Sequence, residues 1–126
     1  MVVEQTTTRQ LIDIYLKAFE RQELEQCMDC FHSDATLEWL MGEYRGQSSI
    51  EEWHKDRFAA GLKILRVDGV SIQGEIATVR ITVTSKRLAA WRMPSLAGIV
   101  TVTFQGGKIH GTKFAAKSIN PQQNWS

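Results

Sequence analysis

The sequence predicts an α+β domain in which helices cover one face of a curved antiparallel sheet. Apolar residues recur at helical spacing in the first half of the chain, and the period changes to two from Lys63 onward. The order is helix, helix, strand, helix and then a run of strands, which is typical of α+β proteins. Strands that follow one another through tight turns pair antiparallel.

Size and composition indicate one domain that folds without a disulfide or metal. The chain has 126 residues, of which 43% are hydrophobic and 23% charged. We expect a single domain over residues 1–126, with loose tails at 1–5 and 120–126. The formal net charge of +1 argues against a nucleic-acid partner or a membrane surface.

Location and cofactors are predicted from what the sequence lacks. It contains no apolar run of transmembrane length and no export signal at its start, so we expect a cytoplasmic protein. Cys27 and Cys30 have the spacing of redox and zinc motifs, but they fall inside a predicted helix and only His32 is close by. We therefore interpret both cysteines as structural and expect neither a metal nor an organic cofactor.

Three helices are predicted in the first half. The first opens at the capping box Thr7–Gln10, and the second covers Glu23–Phe31 and ends at Ser33-Asp34. The third opens at the capping box Ser48–Glu51 and runs to about Gly61. The predicted inner face of the first helix is Leu11, Ile14, Tyr15, Ala18, Phe19 and Gln22, and that of the third is Ile50, Trp53, His54, Arg57 and Phe58.

The first strand is predicted at Ala35–Met41, with Ala35, Leu37, Trp39 and Met41 on one face. Gly42 and Gly46 then bracket a predicted turn. The later strands are predicted at Lys63–Gln73 with a bulge at Asp68-Gly69, at Ile76 to about Lys86, at Leu96–Gln105, and, after a Gly106-Gly107 turn, at Lys108–Ser118.

Alternation places few ionisable groups on the inner face. His110 shares parity with Thr112 and Phe114, and Arg87 shares parity with Val79 if its strand continues that far. With Tyr15 and His54 they form the polar set of the predicted pocket. A histidine near neutral pH is a good general acid or base, and a tyrosine hydroxyl can stabilise an oxyanion.

The predicted pocket wall is otherwise apolar or aromatic. Trp91 belongs to an apolar connection between strands, which is typical of a pocket lid or an interface. Ordinary structural packing is the alternative interpretation for five of the predicted pocket residues, namely Tyr15, Trp39, Trp53, His54 and His110. The predicted wall residues are Phe19, Trp39, Trp53, Phe58, Trp91, Val100, Thr112 and Phe114.

Four segments follow one another along the chain, namely Tyr15–Phe19, Cys30–Trp39, Tyr44–Gly46, and Ile50 with Trp53. In this order they resemble the nuclear-transport-factor-2-like superfamily, in particular its SnoaL-like and ketosteroid-isomerase-like branch. The resemblance implies a cone-shaped fold with one central pocket and a homodimer through the outer sheet face. That face is predicted to carry Thr82, Thr84, Thr101 and Thr103, with Arg80 and Ile99.

The resemblance also implies positions for catalytic groups. Tyr15 matches the tyrosine that donates to the substrate oxyanion in the isomerases. Trp39 falls where those enzymes keep a general-base aspartate, and Val100 falls near their second, protonated aspartate. Two of the three groups differ, so the isomerase mechanism is not expected to operate unchanged.

Two functions follow from the sequence. One is a SnoaL-like domain that binds a small hydrophobic or aromatic molecule without catalysis. The alternative is an isomerase, cyclase or dehydratase that needs no cofactor. It would act on a hydrophobic carbonyl or polyketide-like substrate through Tyr15 and a pocket histidine.

Overall fold

The computed structural model describes residues 3–39, 42–90, 92 and 95–116, without the side chains of residues 3–7 and 87. Within these ranges the chain forms four helices and six strands. The helices are α1 Val3–Glu20, α2 Leu24–Asp29, α3 Gly46–Ala59 and α4 Lys86–Ala90. The strands are β1 Phe31–Trp39, β2 Gly42–Arg45, β3 Lys63–Gln73, β4 Ile76–Thr84, β5 Leu96–Gln105 and β6 Lys108–Ala116.

The strands form one curved sheet in the order β2-β1-β6-β5-β4-β3. Consecutive strands that pair with each other are antiparallel, as predicted, namely β1 with β2, β3 with β4, β4 with β5, and β5 with β6, whereas β1 and β6 pair parallel. The α+β class is therefore confirmed, with one parallel pair that the sequence pattern did not predict. This pair brings the first strand of the chain beside the last.

The core lies between the helices and one face of the sheet. Alternate residues of β4 and β5 are buried, including Ala77, Val79, Ile81 and Val102. They belong to one buried apolar cluster with residues of α1 and α3. Burial of these side chains from both layers stabilises the packing of helices on sheet. The main helical contributors are Ile12, Ala18, Phe19, Ile50 and Trp53.

Both predicted capping boxes are wrong. Helix α1 begins at Val3, so Thr7–Gln10 lies inside it, and residues 3–5 are helical rather than a loose tail. Helix α3 begins at Gly46, and its N-cap residue Arg45 makes no side-chain capping hydrogen bond. Arg45 pairs with Thr36 in the sheet, so the strand ends where the helix starts.

The buried stripe of α1 is rotated from the predicted one. Ile14 is 52% exposed, whereas Ile12 is 2% exposed. Ile12, Tyr15, Leu16 and Phe19 face the interior, a set spaced i, i+3, i+4 and i+7. Both stripes satisfy helical spacing, so periodicity alone could not choose between them.

The chain between α2 and α3 contains more strand than predicted. Helix α2 ends at Asp29, and β1 begins at Phe31, which pairs with Ile109 of β6. The expected turn between Gly42 and Gly46 is instead strand β2, whose Tyr44 pairs with Leu37. Leu40 and Met41 lie outside the described residues.

The later strands agree closely with the prediction. The bounds of β3 and β5 are those expected, and the β3–β4 register shifts between Val67 and Gly69, which confirms the bulge at Asp68-Gly69. Strand β4 ends at Thr84 rather than Lys86, and α4 follows. The predicted end of β6 at Ser118 lies beyond the described residues.

The turn at the end of α3 directs Leu62 into the interior of the domain. Gly61 adopts a φ of 73°, a left-handed conformation that glycine adopts without a Cβ clash. Its N–H donates to Phe58 O at 3.0 Å, and the Leu62 N–H donates to Arg57 O at 2.9 Å, which is the Schellman pattern. Leu62 is thereby turned inward, where it is 5% exposed.

Candidate functional site: an apolar cavity beside a tyrosine–histidine pair

An internal cavity of about 60 Å³ lies between the inner face of the sheet and helices α1 and α3. Its wall is almost entirely hydrocarbon, because the residues that line it come from the buried faces of the helices and strands. Among the described residues, polar atoms of the wall belong to Tyr15, Glu38, Thr112 and the indole N–H groups of Trp39 and Trp53. Its apolar wall is made by Ile12, Leu16, Phe19, Leu37, Trp39, Leu62, Ile64, Val79, Ile81, Val83, Val100, Val102, Ile109 and Phe114.

Most of the predicted pocket residues whose side chains are described meet at this cavity. They are Tyr15, Phe19, Trp39, Trp53, Val100, Thr112 and Phe114. Trp39 is half-buried and stacks on Phe114 with ring centroids 4.3 Å apart, and it meets the Trp53 ring edge-on at 5.3 Å. Trp39 and Val100, at the positions of the isomerase acids, thus contribute hydrocarbon surface to the wall.

Phe58 does not line the cavity, and for Arg87 and Trp91 the side chains lie outside the described part of the structure. Phe58 packs behind the wall, with its ring centroid 5.2 Å from that of Phe19. Arg87 lies in α4 rather than on a continued β4, because the strand ends at Thr84, and its side chain lies outside the described residues. Trp91 lies outside the described residues altogether.

Tyr15 and His54 form a hydrogen-bonded pair next to the cavity. The Tyr15 hydroxyl oxygen is 2.8 Å from His54 Nε2, and His54 Nδ1 is 2.8 Å from the carbonyl oxygen of Ile50. A carbonyl only accepts, so Nδ1 carries the proton and the neutral ring accepts at Nε2. The Tyr15 hydroxyl therefore donates to His54.

Burial keeps both members of this pair neutral. The His54 side chain is 0% exposed, and this burial lowers the pKa of its imidazole below the usual 6.5, although the bond to Ile50 opposes the shift. Burial of the hydroxyl, with the nearby Cys27 and Cys30 thiols, raises the pKa of Tyr15 well above 10.0. The pair is thus a neutral donor and a neutral acceptor.

His54 is enclosed by aromatic rings and is not among the residues that line the cavity. Five ring centroids lie within about 6 Å of its own, mostly edge-on, which suits the preferred geometry of such pairs. The rings belong to Trp53 at 4.9 Å, Phe31 at 5.6 Å, Tyr15 at 5.9 Å, Phe58 at 5.9 Å and Phe19 at 6.0 Å.

The predicted inward orientation of His110 is wrong. Phe104 and Thr103 are consecutive on β5 but pair with Ile109 and Gly111 on β6, so His110 is the extra residue of a bulge. The bulge reverses the parity and turns Ile109 inward, where it is 1% exposed. His110 instead contacts the ring of His32, with centroids 5.6 Å apart.

Cys27 and Cys30 are buried at 0% and 5% exposure. Burial raises the pKa of the Cys27 thiol to about 12, with Cys30 and Glu23 adding to the effect. The Cys30 thiol donates to the Gln26 carbonyl oxygen at 3.4 Å, and burial raises its pKa as well. Both environments disfavour the thiolate that redox or metal chemistry requires.

The described part of the chain contains neither a metal-binding cluster nor a membrane-spanning helix. No cluster of three or more His, Cys, Asp or Glu side chains has an arrangement suited to a metal ion. None of the helices in these ranges combines the length and apolarity needed to cross a membrane.

The model of the SnoaL-like domain family matches residues 12–111. This range covers most of the chain and all the described lining residues of the cavity except Thr112 and Phe114. The chain therefore belongs to the SnoaL-like domain family, as the resemblance implied. No curated protein sequence matches it significantly.

Solved structures share the fold at low sequence identity. Bal32a, from a soil-derived mobile gene cassette, superposes with a TM-score of 0.81 at 12% identity over 98% of this chain and 99% of its own. A proposed ketosteroid isomerase from Kribbella flavida gives 0.76 at 15% over 90% and 79%. A proposed polyketide cyclase from Sinorhizobium meliloti gives 0.73 at 19% over 84% and 94%.

Proposed function

We propose that this domain binds a small apolar or aromatic molecule in the internal cavity. The observation that carries the proposal is that the cavity wall is almost entirely hydrocarbon, while the histidine and the tyrosine proton beside it are not offered to a ligand. His54 lies outside the wall, and the hydroxyl proton of Tyr15 is used in the bond to His54. An apolar ligand gains about 25 cal/mol for each Å² of apolar surface it removes from water.

The size of the cavity constrains the ligand. About 60 Å³ is smaller than the roughly 150 Å³ of an engineered cavity that holds benzene. An aromatic ligand must therefore displace a side chain. The half-buried Trp39 and exposed Glu38 bring the wall nearest to solvent, so we expect entry by rotation of the Trp39 ring away from Phe114.

Catalysis is the second candidate function, and the Tyr15–His54 pair favours it. A hydroxyl hydrogen-bonded to an imidazole acceptor is a common arrangement for proton transfer. Related folds include proteins described as a polyketide cyclase and a ketosteroid isomerase. Against this, the isomerase acid positions hold Trp39 and Val100, and His110 faces away from the cavity.

The binding proposal is tested by NMR titration with toluene. Val100→Phe should fill the cavity and abolish binding, whereas Ile99→Phe, one residue along β5 on the outer face, should leave it unchanged. Trp39→Ala should enlarge the cavity and admit naphthalene. The proposal would be overturned if toluene caused equal saturable shifts in wild type and Val100→Phe. It would also be overturned if neither wild type nor Trp39→Ala bound its ligand.

The catalytic alternative has a separate test. The α-protons of 2-indanone exchange with D₂O, and a proton-transfer enzyme accelerates that exchange. We expect no acceleration above the level given by Tyr15→Phe. An acceleration that Tyr15→Phe removes, with toluene binding retained, would favour the enzyme over the binding domain.

We also propose that the domain is cytoplasmic and forms a homodimer through the outer face of the sheet.

A further inference from the structure

Two polar atoms of the cavity wall lack a hydrogen-bond partner among the described residues. They are the indole Nε1 of Trp53 and the hydroxyl oxygen of Thr112, and both atoms are buried. Trp53 is 4% exposed, so its N–H cannot be satisfied at the surface. The other hydroxyl of the wall, that of Tyr15, already donates to His54.

Both residues, Trp53 and Thr112, belong to the part of the wall around Trp39. The Trp39 ring contacts Trp53 at 5.3 Å and Phe114 at 4.3 Å between centroids. Thr112 precedes Phe114 by two residues on β6, so both side chains point to the same face of the sheet. Thr112 and Phe114 pair with Leu37 and Trp39 of β1, which also line the cavity.

An unpaired buried polar atom is unfavourable, and a ligand that supplies the missing partner is favoured over an isostere that does not. The Trp53 indole only donates, whereas the Thr112 hydroxyl donates or accepts. We infer that the cavity selects a ligand whose apolar body carries one neutral oxygen, as in a phenol, an alcohol or a ketone. The oxygen accepts from Trp53 and exchanges a second hydrogen bond with Thr112.

The charges around the site restrict the oxygen to a neutral group. Glu38 is the one ionisable carboxylate among the described wall residues, and these include no Lys, Arg or His. The Arg57 guanidinium lies 6.0 Å from the centre of the Trp53 ring, but Arg57 does not line the cavity. A carboxylate ligand would be buried without a counter-charge, which is strongly unfavourable.

This inference rests on the proposed binding function, and one experiment separates the two. Phenol and toluene have the same number of heavy atoms, and only phenol carries the oxygen. Both are titrated into wild type, Thr112→Val, Trp53→Phe and the control Thr36→Val, whose side chain lies on the opposite face of β1. The phenol-to-toluene affinity ratio should fall about two- to tenfold in the first two variants and stay unchanged in the control.

A spectroscopic readout covers the case in which Trp53→Phe fails to fold. The chain has four tryptophans, and assignment identifies the Trp53 indole N–H signal. Phenol should move this signal downfield, and toluene should not. Thr112→Val should keep or raise the thermal stability of the free protein, since it removes an unpaired hydroxyl.

The outcomes are distinguishable. If toluene binds, but Thr112→Val leaves the affinity ratio unchanged and phenol leaves the indole signal in place, this inference is wrong and the binding function stands. A large loss of thermal stability in Thr112→Val would show that the fold itself uses the hydroxyl, which also contradicts the inference. If neither compound binds wild type or Trp39→Ala, both proposals fail.

Discussion

At the residue scale, the hydrogen bonds that link Tyr15, His54 and Ile50 determine which group donates and which accepts in each bond. The carbonyl of Ile50 requires the proton on Nδ1 of His54, and this requires Tyr15 to donate. The sequence predicted a polar set in the pocket that contains Tyr15, His54, His110 and Arg87. The structure selects His54 as the partner of Tyr15, and the β6 bulge explains why His110 was a wrong candidate.

Tyr15→Phe tests whether this bond stabilises the fold. The substitution leaves Nε2 of a fully buried imidazole without its donor, so the free energy of unfolding should fall by about 1–3 kcal/mol. Urea denaturation measures the change, and toluene affinity should stay within about twofold of wild type. Unchanged stability would mean that the pair does not hold the ring in place.

The pH dependence of stability should also report on His54. The folded-state pKa lies below the usual 6.5, so the unfolded state binds the proton more readily. The contribution of the neutral ring is therefore complete above about pH 6.5 and decreases as the pH falls below it. Thermal melting between pH 8 and pH 5 should show this loss, and His54→Gln should flatten it. An equal slope in His54→Gln would assign the loss to other groups.

At the element scale, the strands were more predictable than the helix ends. Alternation correctly placed Val79, Ile81 and Val102 in the core, because a strand has only two faces. Capping patterns failed for α1 and α3, since tertiary context decided where each helix begins. The β6 bulge at His110 arises from pairing with β5 and β1 and leaves no signal in the sequence.

The β5–β6 pair contains a glycine that the cavity wall requires. A Cβ on Gly98 would lie 2.4 Å from the Phe114 ring and 2.9 Å from the Ala115 carbonyl oxygen. Gly98→Ala should therefore destabilise the domain by about 1–3 kcal/mol and displace Phe114. Gly111→Ala is the matched control, because its nearest contact would be an ordinary 3.9 Å. Equal stability of the two variants by urea denaturation would contradict this view of the wall.

At the scale of the whole molecule, the outer face of the sheet combines threonines with exposed apolar side chains. Ile76 of β4 and Ile99 of β5 are 48% and 36% exposed. Thr101 and Thr103 of β5 lie beside them. Thr82 is not available on this face, since its hydroxyl donates to Asp68 at 2.8 Å and the residue is 5% exposed. The β5 region is therefore the centre of the dimer surface that we propose.

The double variant Thr101→Glu/Thr103→Glu tests that surface. Two carboxylates facing their symmetry mates would be buried unpaired, so the variant should sediment as a monomer while wild type sediments as a dimer. Ser48→Glu and Ser49→Glu on the exposed part of α3 provide the control and should leave the dimer intact. Wild type that already sediments as a monomer at micromolar concentration would contradict the proposal.

The class of fold and seven of the eighteen described residues that line the cavity could be predicted from the sequence, because both follow from hydrophobic period and element order. The sequence placed Tyr15 and His54 in one polar set, but it did not predict the hydrogen bond between them. The two residues are 39 positions apart in the chain and come together only through tertiary packing. The small volume of the cavity depends on the packing of Trp39 against Phe114, which periodicity does not determine.

The most direct test of the central claim is an intermolecular NOE measurement on the protein with bound toluene. The account predicts NOEs from the toluene ring to the methyl groups of Val79, Val100 and Val102, all of which line the cavity. NOEs confined to exposed methyl groups such as those of Ile14 and Leu65, or no NOEs at saturating toluene, would contradict it.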